Sequence, residues 1–112
     1  MKAHLEYKGI DQLMKHLRNA MAFNEVKETV KRNTTELQKK MQRESPVDTG
    51  FMRRSIIFEI KEAGFTGVVT PTAEYAPYVN YGTRFQSAQP FVTNSFNYQK
   101  VIFMQEMKKL VK

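Results

Sequence analysis

The sequence predicts a small α+β domain, in which a small antiparallel sheet carries a long amphipathic helix and a C-terminal helix. Three observations lead there. Apolar positions recur at helical spacing over residues 23–43, they recur again from Phe91 onward, and between them two β-branched runs are separated by a short glycine-containing turn. At 112 residues there is material for one compact core, so residues 1–112 read as a single domain.

His4-Leu5-Glu6-Tyr7 alternates apolar and polar before Lys8-Gly9, the pattern of a short strand closed by a glycine turn. Ile10, Leu13, Met14 and Leu17 then fall at helical spacing, with Asp11 where the helix dipole favours an acid, which predicts a helix to about Asn19. A second stripe runs Phe23, Val26, Val30, Asn33 or Thr34, Leu37 and Met41. It is narrow and weakened by Asn33, Thr34 and Thr35. The helix over 23–43 is therefore expected to lie across a sheet or a neighbouring subunit rather than sink into a core, and to fray near its middle.

Ser45-Pro46-Val47-Asp48-Thr49-Gly50 breaks that helix, because proline disfavours helical geometry in the residue before it and the cluster is rich in turn formers. A loop is expected to start there. Ser55 to Lys61 and Phe65 to Thr70 form a predicted hairpin about Glu62-Ala63-Gly64. Gly64 and Gly67 lack the spacing of a phosphate loop and are assigned to the hairpin. Residues 71–90 contain Pro71, Pro77, Gly82 and Pro90 without a clear period, so they read as a long connection; their aromatic content argues against disorder. Phe91, Ser95, Tyr98, Ile102, Gln105 or Glu106 and Leu110 form a helical row flanked by Phe96, Phe103 and Met107, with Lys108, Lys109 and Lys112 in the last turn.

Composition narrows the function classes. The absence of cysteine removes disulfides, thiolate nucleophiles and cysteine-ligated zinc. No apolar run approaches the roughly 20 residues of a membrane span, and no secretory signal is visible, so a cytoplasmic site of synthesis and no membrane partner are expected. His4 and His16 stand twelve residues apart with scattered carboxylates, which is a poor metal set, and no cofactor is expected. Asp48 and Thr49 near Arg53 and Arg54 resemble an acid and a nucleophile, but nothing supplies a base for the hydroxyl. Capping of the turn at Gly50-Phe51 by Asp48 or Thr49 is the stronger reading, and no enzymatic activity is expected.

The net charge of +7 biases the chain toward acidic partners. Residues 27–44 carry six basic and three acidic side chains and residues 100–112 carry four and one, so two helical segments hold most of the excess. Lys27, Lys31, Lys39, Lys40, Arg43 and Arg54 are the candidates for contact with a phosphate backbone or an acidic partner; a solvated helix face is the commoner cause of such a run. Residues 63–99 hold only Glu74 and Arg84 among charged groups but eight of the thirteen aromatics, a composition that suits an interface core and equally a buried β-region.

Ser45-Pro46-Val47-Asp48-Thr49-Gly50-Phe51-Met52-Arg53-Arg54-Ser55-Ile56, then Tyr75-Ala76-Pro77-Tyr78-Val79-Asn80-Tyr81-Gly82-Thr83-Arg84, then Ala88-Gln89-Pro90-Phe91 together resemble the tail-component family of Hong Kong-type lambdoid phages, small head-tail joining proteins of long-tailed bacteriophages. That family has Pro-Val-Asp-Thr-Gly-x-Leu-Arg-x-Ser-Ile, then Tyr-Ala-x-Tyr-Val-Glu-x-Gly-Thr, then Gln-Pro-Phe at the opening of the last helix. Here Met52 stands at the leucine position and Asn80 at the glutamate position. The resemblance marks Pro46, Val47, Asp48, Thr49, Gly50 and Arg53 as a family turn. It implies a structural virion protein of a phage or prophage neck, assembled in the host bacterial cytoplasm, which forms a homo-oligomeric ring. Its partners would be other neck, portal-adaptor or tail proteins, with nonspecific contact to packaged DNA.

A ring joins copies through two different surfaces, and the aromatic, charge-poor stretch 71–91 is the candidate for one. Its expected interface residues are Tyr75, Pro77, Tyr78, Tyr81, Gly82, Arg84, Phe85 and Phe91. Arg53, Arg54 and Arg84 are read as pairing with a neighbour's acids, with DNA in the ring's lumen, or within the chain. The alternative function is a freestanding, basic, nonspecific nucleic-acid-binding module.

Overall fold

The computed structural model describes residues 2–6, 20–45, 50–84 and 87–111. Its elements run β1 (Ala3–Glu6), α1 (Ala20–Glu44), α2 (Phe51–Ser55), β2 (Ile56–Lys61), a 3-10 turn (Glu62–Gly64), β3 (Thr66–Pro71), α3 (Ala76–Tyr81) and α4 (Phe91–Val111). The three strands form an antiparallel sheet in the order β1-β3-β2, so the α+β class holds. The expected glycine turn at Lys8-Gly9, the helix over residues 10–19 and the caps at Asp48 and Thr49 lie outside the described residues.

The hairpin falls where the β-branched runs place it, with Lys61 opposite Thr66 and Ile56 opposite Pro71. Register sets the faces, because directly opposed residues share one side of a sheet. Leu5, Gly67 and Ile60 form one such row and Ala3, Val69 and Phe58 the next. Leu5 and Val69 are buried against α1 together with Val26, Val30, Leu37 and Met41, while α4 closes the other side of the core with Phe91, Phe103 and Met107.

The long helix is one continuous element, and it is sunk in the core as well as laid across the sheet, contrary to the sequence expectation. The polar residues that seemed to weaken its stripe are themselves fully buried: Asn33 and Thr34 are both 0% exposed. Thr29, Thr34 and Thr35 each donate a hydroxyl hydrogen bond to the carbonyl four residues earlier, at 2.8, 2.7 and 2.9 Å, so none carries an unpaired polar atom into the interior. The helix runs unbroken through this stretch.

Thr34 also explains Gly67. This glycine lies within β3, not in the hairpin turn, and a Cβ placed on it would overlap the Thr34 hydroxyl and press on Cβ and Cγ2 of the same residue. The helix lies closer to the central strand than a residue with a Cβ at this position would allow.

Asn33, one residue earlier, faces α4. Its Nδ2 donates to the Glu106 carboxylate at 2.7 Å and to Thr29 O at 2.8 Å, while its Oδ1 accepts from Gln99 Nε2 at 2.5 Å. Gln99 also donates to Glu36 at 3.0 Å, Ser95 donates to Glu44 at 3.1 Å, and Arg32 pairs with Glu106 at 2.7 Å. These contacts run α1 and α4 antiparallel. They also correct the predicted face of α4: the buried row is Phe91, Ser95, Gln99, Phe103 and Met107, whereas Tyr98 is 57% exposed. A hydropathy count passes over Gln99, yet its amide is buried on that of Asn33. Among the described residues no buried side-chain nitrogen or oxygen lacks a partner.

Two readings of local structure also change. Residues 51–55 form a helical turn where a loop was expected, and the long connection contains α3.

The close approach of Thr34 and the seam at Glu106 are each open to measurement. Gly67→Ala is expected to destabilise the fold by about 2 kcal/mol, as overpacking commonly does, and by clearly less in a Thr34→Ala background; urea unfolding of the three variants measures both. The second prediction concerns acid. Burial by itself would raise the Glu106 pKa, but hydrogen bonds from Asn33 and Arg32 outweigh it and hold the carboxyl below its ordinary value of 4.5. A depressed folded-state pKa contributes stability that is present above the unfolded value and lost as pH falls through the folded one. The urea midpoint is therefore expected to drop below about pH 4.5, and to drop less steeply in Glu106→Gln.

Candidate functional site

The described motif residues have separate structural duties, and several of them flank aromatic rings left outside the core. Gly50 opens α2 at φ 74°, in the left-handed region that favours glycine, and its carbonyl accepts from Arg54 N at 3.1 Å. Met52, at the family's leucine position, is 2% exposed and anchors the turn. Ser55 is buried, with its hydroxyl on Met52 O at 2.7 Å, and its own carbonyl accepts both the backbone N–H and the hydroxyl of Thr72, at 2.9 and 2.7 Å. The start of β2 is thus tied to the exit of β3. Between these anchors Phe51 is left 51% exposed.

In α3, Ala76 and Val79 reach the core while Tyr78 and Tyr81 are 63% and 70% exposed. Gly82 ends the helix at φ 80° with its N–H on Tyr78 O at 2.9 Å. Residues three apart on a helix lie on neighbouring faces, so Tyr78 and Tyr81 continue a line begun by Tyr75, whose ring stacks on Phe51 with centroids 6.1 Å apart. The result is an exposed aromatic ridge. At its far end Pro77 and Tyr81 wall a groove of about 630 Å³ with His4, Val92 and Phe96.

Asn80 has a role that the sequence did not suggest. It is 1% exposed, its Oδ1 accepts the backbone N–H groups of Val92 and Thr93 at 3.1 and 3.2 Å, and its Nδ2 donates to Thr93 Oγ1 at 3.0 Å. The first N–H groups of a helix have no partner within it, so Asn80 caps α4 from a distance. No local pattern announces a cap supplied from twelve residues upstream.

The ridge brings Tyr75, Tyr78 and Tyr81 together, with Pro77 half-buried beside them and Arg84 exposed. Phe91 does not join them. At 2% exposure it is a core residue, because Gln89 N–H bonds Val79 O at 2.8 Å and turns the chain inward just before α4. Phe85 lies outside the described residues, as do Pro46, Val47, Asp48 and Thr49.

The basic candidates separate as well. Lys27 packs its stem on Gly64 and holds its ammonium 5.6 Å from the centre of the Phe65 ring. Lys40 pairs with Glu44 at 3.1 Å and sits 4.2 Å from the centre of the Tyr98 ring. Lys31 and Arg54 are exposed, whereas Lys39 and Arg43 line one groove with Arg53, which the sequence marked both in the family turn and for pairing with acids or DNA.

A family comparison matches residues 8–82 to the family described as "Bacteriophage HK97-gp10, putative tail-component". The chain belongs to this phage tail-component family. The match takes in the turn after α1, the hairpin and α3 up to Gly82, which are the elements that build the ridge. Comparison with curated proteins and with solved structures finds no match. Membership makes this a phage structural protein of the tail-component kind, and no described helix is long and apolar enough to cross a membrane.

Ridge and core make opposite mutational predictions. Phe91→Ala is expected to cost about 3–5 kcal/mol. Tyr78→Ala is expected to stay within about 0.5 kcal/mol of the wild type, as surface changes do. Thermal unfolding of the two variants checks both.

Proposed function

We propose that this tail-component protein is a structural subunit of the head-tail junction of a tailed phage or prophage. Copies assemble in the host cytoplasm into a ring and remain in the virion, and the protein performs no chemistry. The observation that carries this reading is the ridge: the family's own motif residues are spent on holding Phe51, Tyr75, Tyr78 and Tyr81 outside the core. Tyrosines bury a large area with few rotors and keep a hydroxyl for hydrogen bonding, which suits a protein interface.

A closed ring of identical subunits uses head-to-tail contacts and so needs two different surfaces. The ridge supplies one. The other is β2, at an edge of the sheet, where Ile57 and Phe58 are 52% and 40% exposed. Strand edges and exposed apolar side chains both favour association.

The test is head-tail joining by phage carrying Tyr78→Ala with Tyr81→Ala, scored by electron microscopy. Filled heads without tails are expected to accumulate while the isolated protein keeps its unfolding midpoint. Normal particles would remove the ridge as the interface. A freestanding nucleic-acid-binding module would behave differently, with DNA affinity as a monomer and indifference to both tyrosine changes; light scattering over a concentration series separates the two.

A further inference from the structure

We propose that the groove lined by Lys39, Arg43 and Arg53 binds the phosphate backbone of double-stranded DNA. It has a volume of about 570 Å³ and is also lined by Gln42 and Glu36. Lys39 and Arg43 stand one helical turn apart on α1, and Arg53 comes to them from α2. Lys39 and Arg43 have neither an ion pair nor a hydrogen bond to any described residue. Arg53 is held in place from one side only, its Nε donating to Gln42 O at 3.2 Å while Gln42 Nε2 donates to Arg53 O at 3.4 Å. That pairing fixes the stem and directs the guanidinium without neutralising it. Glu36, the one acid among the described residues of the groove, accepts a hydrogen bond from Gln99 at 3.0 Å on the side toward α4.

Three cations therefore converge against one anion, and no other basic candidate among the described residues has this arrangement. Lys27 and Lys40 are committed to aromatic rings, and Lys40 to an ion pair in addition. The lining also selects the class of ligand. A protein partner is expected to meet an interface centre depleted in lysine, whereas Lys39 and two arginines make up three of the five described residues of this groove. Phosphate oxygens are met by this chemistry, with arginine forks as bidentate donors and lysine as a point charge. With no described group reading base edges there, binding is independent of sequence. The ridge and the groove share α2 but use different side chains of it, so this inference stands whether or not the ring reading does.

The test is fluorescence anisotropy of a fluorescein-labelled 20-base-pair duplex across a sodium chloride series. The partners are Lys39→Gln/Arg43→Gln, the triple variant adding Arg53→Gln, and a control of equal charge loss, Lys31→Gln/Lys108→Gln/Lys109→Gln. Removing one cation that neutralises a phosphate is expected to reduce the salt slope by about 1, so the triple variant loses about 3 and binds at least about tenfold more weakly at 50 mM salt. The double variant, whose changes are both exposed, loses about 2 and guards against misfolding of the triple. The proposal is overturned if the wild type does not bind at 50 mM salt, or if the control weakens binding as much as the triple variant. It is equally overturned if poly-L-glutamate competes as well as unlabelled duplex, which would assign the groove to an acidic protein. Head-tail joining by the tyrosine variant reads the ridge alone, so either reading can fail without the other.

Discussion

Two consecutive residues of the long helix, Asn33 and Thr34, hold the constraint on which the rest of the structure depends. Thr34 meets the bare backbone of Gly67 in the central strand, and Asn33 meets Gln99 and Glu106 of the last helix. One helix is thereby clamped between a sheet and a second helix within a single turn. Neither contact tolerates sliding: a shift along the strand would set a side chain against Thr34, and a shift along α4 would leave the buried amides of Asn33 and Gln99 unpaired, at about 1–3 kcal/mol for each. Apolar packing supplies most of the free energy of such a core, and the polar seam adds a further penalty against any other alignment.

That alignment positions the exposed aromatic ridge and the basic groove. Because α1 is fixed against β3 and Gln38 Nε2 bonds Ile56 O at 3.0 Å, the short helix between α1 and β2 is held at both ends, and Phe51 and Arg53 leave it in different directions. Because α4 is fixed against α1, its first turn lies where Asn80 can cap it, and α3 is drawn onto the core by Ala76 and Val79. The exposed tyrosines are the residue of this construction: a helix of six residues can bury only one side, and its other side presents rings. Exposed rings from two of the motif segments, Phe51 from one and Tyr75, Tyr78 and Tyr81 from the other, thus lie on one ridge.

The charge is sorted by the same geometry. Along the chain, residues 27–44 are one basic run, but helical periodicity and neighbouring rings divide it into cations engaged within the fold and cations left unpaired. The division depends on what lies across from each lysine, which no count of charges along the chain contains. Arg53, outside that run, is brought beside Lys39 and Arg43 by its hydrogen bonds with Gln42.

The sequence by itself determined the α+β class, the long and C-terminal helices, the hairpin and the family, because each rests on local periodicity, turn chemistry or ordered short motifs that need no partner to be recognised. It even contained the ridge residues Tyr75, Tyr78 and Tyr81. Only the tertiary structure decided that Asn33, Thr34 and Gln99 are core residues, that Gly67 is a point of closest approach, that Phe91 points inward and that Asn80 caps a distant helix. Each of these is a pairing between residues far apart in the chain. A polar side chain is read as surface until its partner is found, and a glycine as a turn until the neighbour it admits is seen; folding supplies the partner and the neighbour.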